Sequence, residues 1–178
     1  ESTYNASEIM TRNLLTKMMT KGVQIKQMQF NEDKIHAFLN QHGIKRHVNS
    51  SATGIDLVAS MPNNNNKIIN KTISLINNEI HSPSLKKEDF NYLQQKIGAE
   101  LAGSKDNVNT EASIRMSQQL FLDGSCNYQH SIQSLRDALY TITHADILNE
   151  HKKIMDRGML KVSVLTPSQN VMATWKKM

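Results

Sequence analysis

Isoleucine recurs at helical spacing in the middle of the chain, and this pattern constrains the fold more than any other feature of the sequence. Over Lys67–His81 the apolar residues stand three or four positions apart, which is the spacing of one buried helix face. Those positions are Ile68, Ile69, Ile73, Ile76 and Ile80. Ser82-Pro83 breaks the pattern. Ser84 can then cap a second helix over Leu85–Leu101.

Shorter helical patterns lie on both sides of this pair. Their predicted spans are Ser7–Lys21, Asn31–Gly43, Thr110–Leu122, Ser131–Leu139 and Thr143–Arg157. Ser7 caps the first of them and Gly22 stops it, and Asn31 caps the second. Thr143 and Asp146 start the last one at capping-box spacing. The predicted core residues of Thr110–Leu122 are Ile114, Leu120 and Phe121.

Alternating patterns predict three strands. Ile44–Asn49 and Ile55–Met61 are joined by the turn residues Ser50–Gly54, which favours an antiparallel hairpin. Leu160–Val164 alternates near the end of the chain and predicts the third strand. Helices that are segregated from an antiparallel hairpin are typical of the α+β class.

Length and composition indicate one domain over residues 1–178. The 178 residues contain no fixed-period repeat and no long linker, and no apolar run approaches the roughly 20 residues of a membrane span. The chain begins with Glu1 and no signal peptide follows, so we expect a fragment of a longer or processed chain. Asparagine is abundant, which we interpret as a coding bias or a solvated surface with little functional content.

The net charge of +5 is spread along the chain rather than concentrated. Basic dipeptides such as Lys45-Arg46 and Lys86-Lys87 are scattered, and only 5% of the residues are aromatic. Nucleic-acid binding normally uses a basic stripe with aromatic stacking platforms, so no nucleic-acid partner is expected. The single cysteine, Cys126, excludes an internal disulfide and a multi-cysteine zinc site.

Several stretches, taken in order, resemble the pitrilysin/insulinase family of zinc metallopeptidases, the inverzincins. They are Asn13–Val23, Asp33–Gly43, Ile73–Phe90 and Ile142–Ile147. The first is similar to the family helix that reads His-Leu-Leu-Glu-His-Met-Leu-Phe-Lys-Gly-Thr. The likeness covers nearly the whole chain. It implies a two-layer α+β fold, a mainly antiparallel sheet with helices packed on one face, which lacks the first strands of the family's module.

The family's catalytic motif is absent from the matching helix. Members bind zinc through the two histidines of His-x-x-Glu-His, and the glutamate between them activates the metal-bound water. The matching residues here are Asn13, Thr16 and Lys17. Glu100 stands near the position of the family's downstream glutamate ligand and would be an isolated remnant. The resemblance therefore implies no catalytic residue, metal ligand or cofactor in this domain, and zinc only in an active partner domain.

The resemblance implies a role for such a degenerate module. It would be the non-catalytic domain of a metalloendopeptidase, forming a chamber wall or a peptide-binding surface beside an active peptidase domain or subunit. The substrate would be a peptide or unfolded protein, and a homodimer is also compatible. The residues leave the compartment open, and the resemblance favours the bacterial periplasm or cell envelope.

Other readings of the sequence stay open beside this one. The chain could be an active metal-dependent hydrolase whose metal site is completed by another chain or segment. His144 and His151, with Asp146 and Glu150 nearby, could contribute to a metal site, although solvated helix residues are the favoured interpretation because seven residues separate the histidines. Cys126 would be a nucleophile only with an orienting histidine such as His130.

Overall fold

Seven helices and four strands make up the part of the chain that the structure, a computed structural model, describes: residues 5–25, 28–51, 54–62 and 65–156. The helices are α1 (Ala6–Met19), α2 (Glu32–Gln41), α3 (Asn66–His81), α4 (Lys87–Ser104), α5 (Val108–Leu120), α6 (Ile132–Thr141) and α7 (His144–Asp156). The strands are β1 (Gly22–Ile25), β2 (Met28–Asn31), β3 (Lys45–Ser50) and β4 (Ile55–Ser60). All predicted helices are present.

Asparagine side chains begin four of the helices. Asn5, Asn31, Asn65 and Asn107 each accept a hydrogen bond from a backbone N–H in the first turn of α1, α2, α3 and α5. Such a bond satisfies one of the donors that a helix N-terminus leaves free. The abundance of asparagine therefore has a structural role that our interpretation as solvated surface missed. The prediction of Asn31 as a cap is confirmed, whereas Asn5 caps α1 in place of Ser7.

The capping box of α7 is confirmed. The Thr143 N–H donates to Asp146 Oδ2 at 2.8 Å, and the Asp146 N–H donates to Thr143 Oγ1 at 3.3 Å. The Thr143 hydroxyl also donates to Asp146 Oδ2 at 2.7 Å. This bond, together with the bond from the Thr143 amide, lowers the pKa of Asp146 below its ordinary value. The prediction of Ser84 as the cap of α4 is wrong. That helix begins at Lys87, and the Ser84 N–H instead donates to the Gly22 carbonyl at 2.9 Å.

The described strands form two separate antiparallel hairpins. β3 pairs with β4 from Lys45 opposite Ser60 to Ser50 opposite Ile55, which confirms the predicted hairpin. β1 pairs with β2, and we did not predict this hairpin because each strand is only four residues long. The fold is thus mostly helical with two small antiparallel sheets, which fits the α+β class loosely. The predicted strand Leu160–Val164 lies outside the described residues.

Helix α1 lies at the centre of the main core. Its Leu14, Leu15 and Met18 are fully buried, and it packs against α4, α6, α7, β1 and β3. The largest apolar cluster consists of Met10, Leu14, Leu15, Met18, Met19, Leu85, Phe90, Leu93, Ile97, Leu139, Ile142 and Ile147. The methionines of α1 are therefore core residues. A smaller cluster joins β1 to α2.

The end of α3 and the segment that leads to α4 are bonded to two other elements, β1 and α7. On the side of β1, the Gln24 N–H donates to the Ser82 carbonyl at 3.0 Å, and Val23 forms a β-bridge with Pro83. On the side of α7, ring nitrogens of two histidines bond to the carbonyls of Ile80 and Leu85. This connection therefore joins the hairpin β1–β2 to the helical core.

Gly22 begins β1 and does not act as the stop of α1, which ends at Met19. A Cβ atom at this position would lie 2.7 Å from the Phe30 carbonyl oxygen in β2. Because that atom belongs to the backbone, Gly22→Ala should cost about 1–3 kcal/mol of stability, measured by urea unfolding. Gly103→Ala is the matched control. No atom lies within 4 Å of its Cβ, and in helix α4 alanine should be neutral or stabilising. Equal losses in the two variants would contradict the crowding argument.

Candidate functional site

The three residues that the sequence resemblance matches to the family's catalytic motif lie on one side of α1, in the middle of the domain. Thr16 is buried, and its Oγ1 donates to the Arg12 carbonyl at 2.7 Å. Asn13 and Lys17 are half-buried one turn apart. The Asn13 Oδ1 atom is buried and accepts no hydrogen bond from the described residues. The side chains at these positions are therefore an amide, a hydroxyl and an amine.

These groups lack the donor chemistry of a zinc site. Zinc in proteins is held by imidazole, thiolate and carboxylate groups, and none of the three side chains supplies one. Across residues 5–25, 28–51, 54–62 and 65–156, no three His, Cys, Asp or Glu side chains lie close enough together to hold a metal ion. Glu100 is exposed on α4 and is not part of a group of potential metal ligands among the described residues.

Arg12 precedes this triplet and forms an ion pair between α1 and α7. Its Nε lies 3.1 Å from Glu150 Oε1, and both side chains are largely buried. Lys153 stands 3.6 Å from the other carboxylate oxygen of Glu150. The charged groups next to Asn13, Thr16 and Lys17 therefore connect two helices, which is a structural role.

The two histidines of α7 also have structural partners. His144 Nε2 lies 2.7 Å from the Leu85 carbonyl oxygen, and His151 Nε2 lies 2.8 Å from the Ile80 carbonyl oxygen. Both rings are half-buried, so the interpretation as solvated helix residues is wrong. Each ring nitrogen donates to a backbone carbonyl, and this use competes with metal binding through the same nitrogen.

The cysteine lies in an exposed loop between α5 and α6. Cys126 is free and exposed. The neighbouring His130 packs edge-on against the Tyr128 ring, with 5.1 Å between the ring centroids. The Cys126 side chain is thus an exposed loop thiol.

Two cavities lie beside α1, away from the triplet. An apolar cavity of about 300 Å³ is bounded by α1, α5, α6 and the loop before α6, and its walls include Ile9, Ile114 and Leu135. A polar cavity of about 330 Å³ lies between α1 and α7 and is lined by Glu8, Glu150 and other residues. Sequence reasoning missed both, because their walls come from segments that are distant in the sequence.

Exposed apolar side chains are concentrated at the end of α5. Met116, Leu120 and Leu122 are 63%, 63% and 85% exposed. The prediction of Leu120 and Phe121 as core residues is wrong, whereas Ile114 is buried as predicted. The helical spacing was interpreted correctly, but within the described residues other elements cover only the side of α5 that carries Ile114. A cluster of exposed apolar residues is characteristic of a surface that contacts another molecule.

A buried ion pair joins the second hairpin to α3. Arg46 of β3 pairs with Glu79 of α3, and the exposed fractions of the two side chains are 7% and 0%. Burial raises the pKa of Glu79 from 4.5 to about 7, although the nearby Arg46 charge and hydrogen bond act in the opposite direction. We did not predict this pair. One feature of the sequence could have indicated it: Arg46 occupies an inward position of an alternating strand, opposite Ala59, where a charged side chain needs a partner.

No helix in the described part of the chain is long and apolar enough to span a bilayer.

Comparisons with known proteins identify similar folds. No family model matches the chain, and no curated protein matches it. Among solved structures, the chain is similar to the periplasmic protease PqqL from Escherichia coli, with a TM-score of 0.64 and 13% identity. It is also similar to the ferredoxin protease FusC, solved as a mutant in complex with Arabidopsis ferredoxin, with a TM-score of 0.54 and 14% identity.

These matches cover most of this chain and a small part of each protease. The shares are 82% of this chain and 16% of PqqL, and 80% of this chain and 15% of FusC. At such low identity the likeness concerns the fold alone. It supports the pitrilysin-like fold that the sequence resemblance implies.

Proposed function

We propose that this chain is a non-catalytic domain of a zinc metallopeptidase, which forms a chamber wall or peptide-binding surface beside an active domain. The observation that carries the proposal is helix α1. Its apolar side chains are packed as a central core helix, while its motif positions are occupied by Asn13, Thr16 and Lys17. The fold is thus retained at positions where the catalytic groups are missing.

Each of the three side chains is unsuited to the role of its counterpart in the motif. Asn13 offers an amide, which is a poor zinc ligand beside imidazole. Thr16 replaces the general base, and a threonine hydroxyl does not accept a proton from zinc-bound water at neutral pH. Lys17 places an ammonium group where a ligand of a divalent cation would be needed, and the two positive charges repel each other.

The proposed partner is an active peptidase domain or subunit that holds the zinc. Two observations support an interaction role. Met116, Leu120 and Leu122 offer an exposed apolar surface, and neither β3 nor β4 pairs with a further strand among the described residues. An extended peptide can add to such an edge through backbone hydrogen bonds. The substrate in this proposal is a peptide or unfolded protein.

We place the parent protein in the bacterial periplasm or cell envelope. The support is the periplasmic location stated for PqqL, whose fold this chain shares in part. A nucleic-acid partner is not proposed, because the basic residues are scattered along the chain.

Zinc content and peptidase activity test the proposal together. The purified protein should contain substoichiometric zinc by metal analysis after incubation with zinc and dialysis. It should also leave an unstructured fluorogenic peptide uncleaved, with or without a chelator. The physical reason is the missing donor set on α1. One zinc per chain, or cleavage that a chelator abolishes, would overturn the non-catalytic assignment in favour of a hydrolase.

A restored motif serves as the positive control. The triple variant Asn13→His, Thr16→Glu, Lys17→His returns two imidazoles and one carboxylate to adjacent turns of α1. If it gains zinc while the native protein does not, the assay detects a site at this location. Lys152→His, at an exposed position of α7, adds one histidine without forming a cluster and should gain none.

A further inference from the structure

An arginine points inward from the second hairpin and meets a buried carboxylate. The inner face of β3 carries Arg46, Val48 and Ser50, opposite the apolar residues of β4. The Arg46 guanidinium pairs with Oε1 of Glu79, whose side chain is completely buried. Because β3 packs mainly on α1 whereas α3 packs mainly on β1, this pair is a direct link between β3 and α3.

The carboxylate is only half satisfied. Oε1 of Glu79 accepts from Arg46 Nη1, but Oε2 is buried without a hydrogen-bond partner in the described part of the chain. An ionised carboxylate offers about four acceptor positions. A buried charge with one bare oxygen is therefore costly. The neutral acid avoids most of that cost, since the desolvation penalty falls on the charged form.

The residues next to Glu79 bond to two other elements, so the cost of its buried charge can affect contacts beyond α3. Ile80, the next residue, bonds through its carbonyl to His151 of α7, and Ser82 bonds to Gln24 of β1. A water molecule can reach the carboxylate only if α3 and β3 separate locally. Opening of the Arg46–Glu79 contact would thus loosen hairpin β3–β4 from α3, while the packing of β3 on α1 would hold the hairpin in the fold.

We propose that Arg46 and Glu79 form a proton-controlled latch between hairpin β3–β4 and α3, closed while Glu79 carries a proton and weakened once it is ionised. The raised pKa of Glu79, about 7 against 4.5 for an exposed glutamate, supports the direction. A carboxyl that holds its proton more tightly when folded stabilises the closed form fully below pH 4.5. This contribution is lost as the pH rises to about 7.

The charged surroundings of Glu79 are simple. Arg46 of β3 is the charged group that lowers the pKa, and desolvation outweighs it. On α3 itself His81 lies two residues further along, and α7 approaches through His151, which is bonded to the Ile80 carbonyl. Neither histidine contributes to the shift of the Glu79 pKa. The latch should therefore titrate as one carboxyl.

Hydrogen exchange measured at pH 5 and pH 8 tests the latch. After correction for the intrinsic exchange rate, the amides of β3 and β4 should lose protection on the order of 10- to 100-fold at pH 8. In Glu79→Gln, which mimics the protonated acid, protection should not depend on pH. Glu111→Gln removes an exposed ion pair with Arg115 and should keep the native response. Equal pH dependence in the native protein and Glu79→Gln would overturn the proposal.

A direct titration keeps the test decisive if Glu79→Gln folds poorly. The carboxyl carbon resonance of Glu79 in the labelled native protein should titrate with a midpoint near 7. A midpoint near 4.5 would overturn the proposal, since the buried carboxyl would then ionise as easily as an exposed one.

Discussion

Arg46→Met should destabilise the protein by about 3–5 kcal/mol at pH 8, where the carboxyl of Glu79, with its pKa of about 7, is mostly ionised. The substitution removes the guanidinium that pairs with Glu79 and leaves a buried carboxyl with no charged partner. The loss can be measured from urea unfolding curves, with the m-value checked for a constant native state. A methionine is chosen because its unbranched side chain fills the space of the arginine stem.

The double variant Arg46→Met, Glu79→Leu is the control for this result. Removing both charges removes the desolvation cost together with the attraction, so most of the lost stability should return. Glu111→Gln breaks an exposed pair and should change stability by less than about 1 kcal/mol. If the double variant is as unstable as Arg46→Met, the loss comes from poor packing and not from an isolated buried charge.

Leu15→Ala should cost about 2–5 kcal/mol. Leu15 is fully buried on α1 between the motif positions Asn13 and Thr16, and several elements pack around this helix. Its truncation would leave a cavity that surrounding side chains cannot easily fill, because they belong to separate helices. Thermal or urea unfolding measures the effect.

Leu120→Ala is the matched control, since it is the same substitution at an exposed position of α5. We expect a change within about 0.5 kcal/mol. A loss at Leu120 equal to that at Leu15 would mean that the end of α5 is covered in solution. That result would revise the exposed surface on which the proposed interaction role partly relies.

Much of the helical architecture could be predicted from the sequence because it depends on local signals. The isoleucine series of α3, the cap Asn31 and the Thr143–Asp146 box act within one or two turns. The hairpin β3–β4 is local as well, since its strands are close in the chain. Gly22 shows the limit of such signals. It was interpreted as a helix stop, yet its function is to admit the Phe30 carbonyl of β2.

Some features of the candidate site could likewise be predicted from the sequence, and others could not. The absence of histidine and glutamate from positions 13, 16 and 17 is visible in the sequence, because it concerns the identity of Asn13, Thr16 and Lys17 alone. The partners of His144 and His151 could not be predicted, because Leu85 and Ile80 are far from them in the chain. Leu120 shows that helical spacing identifies an apolar face without showing whether another element covers it.

The sequence by itself determined the helices, one hairpin and the side chains at positions 13, 16 and 17, since short-range hydrogen bonds and side-chain identity decide these features. Only the tertiary structure decided that α1 is the central helix, that Arg46 meets Glu79, and that α7 bonds to the α3–α4 connection. Burial decides the chemistry of the features that only the tertiary structure determined. A glutamate ionises easily in water, whereas desolvation raises the pKa of Glu79 to about 7. No property of the residue in the sequence indicates that change.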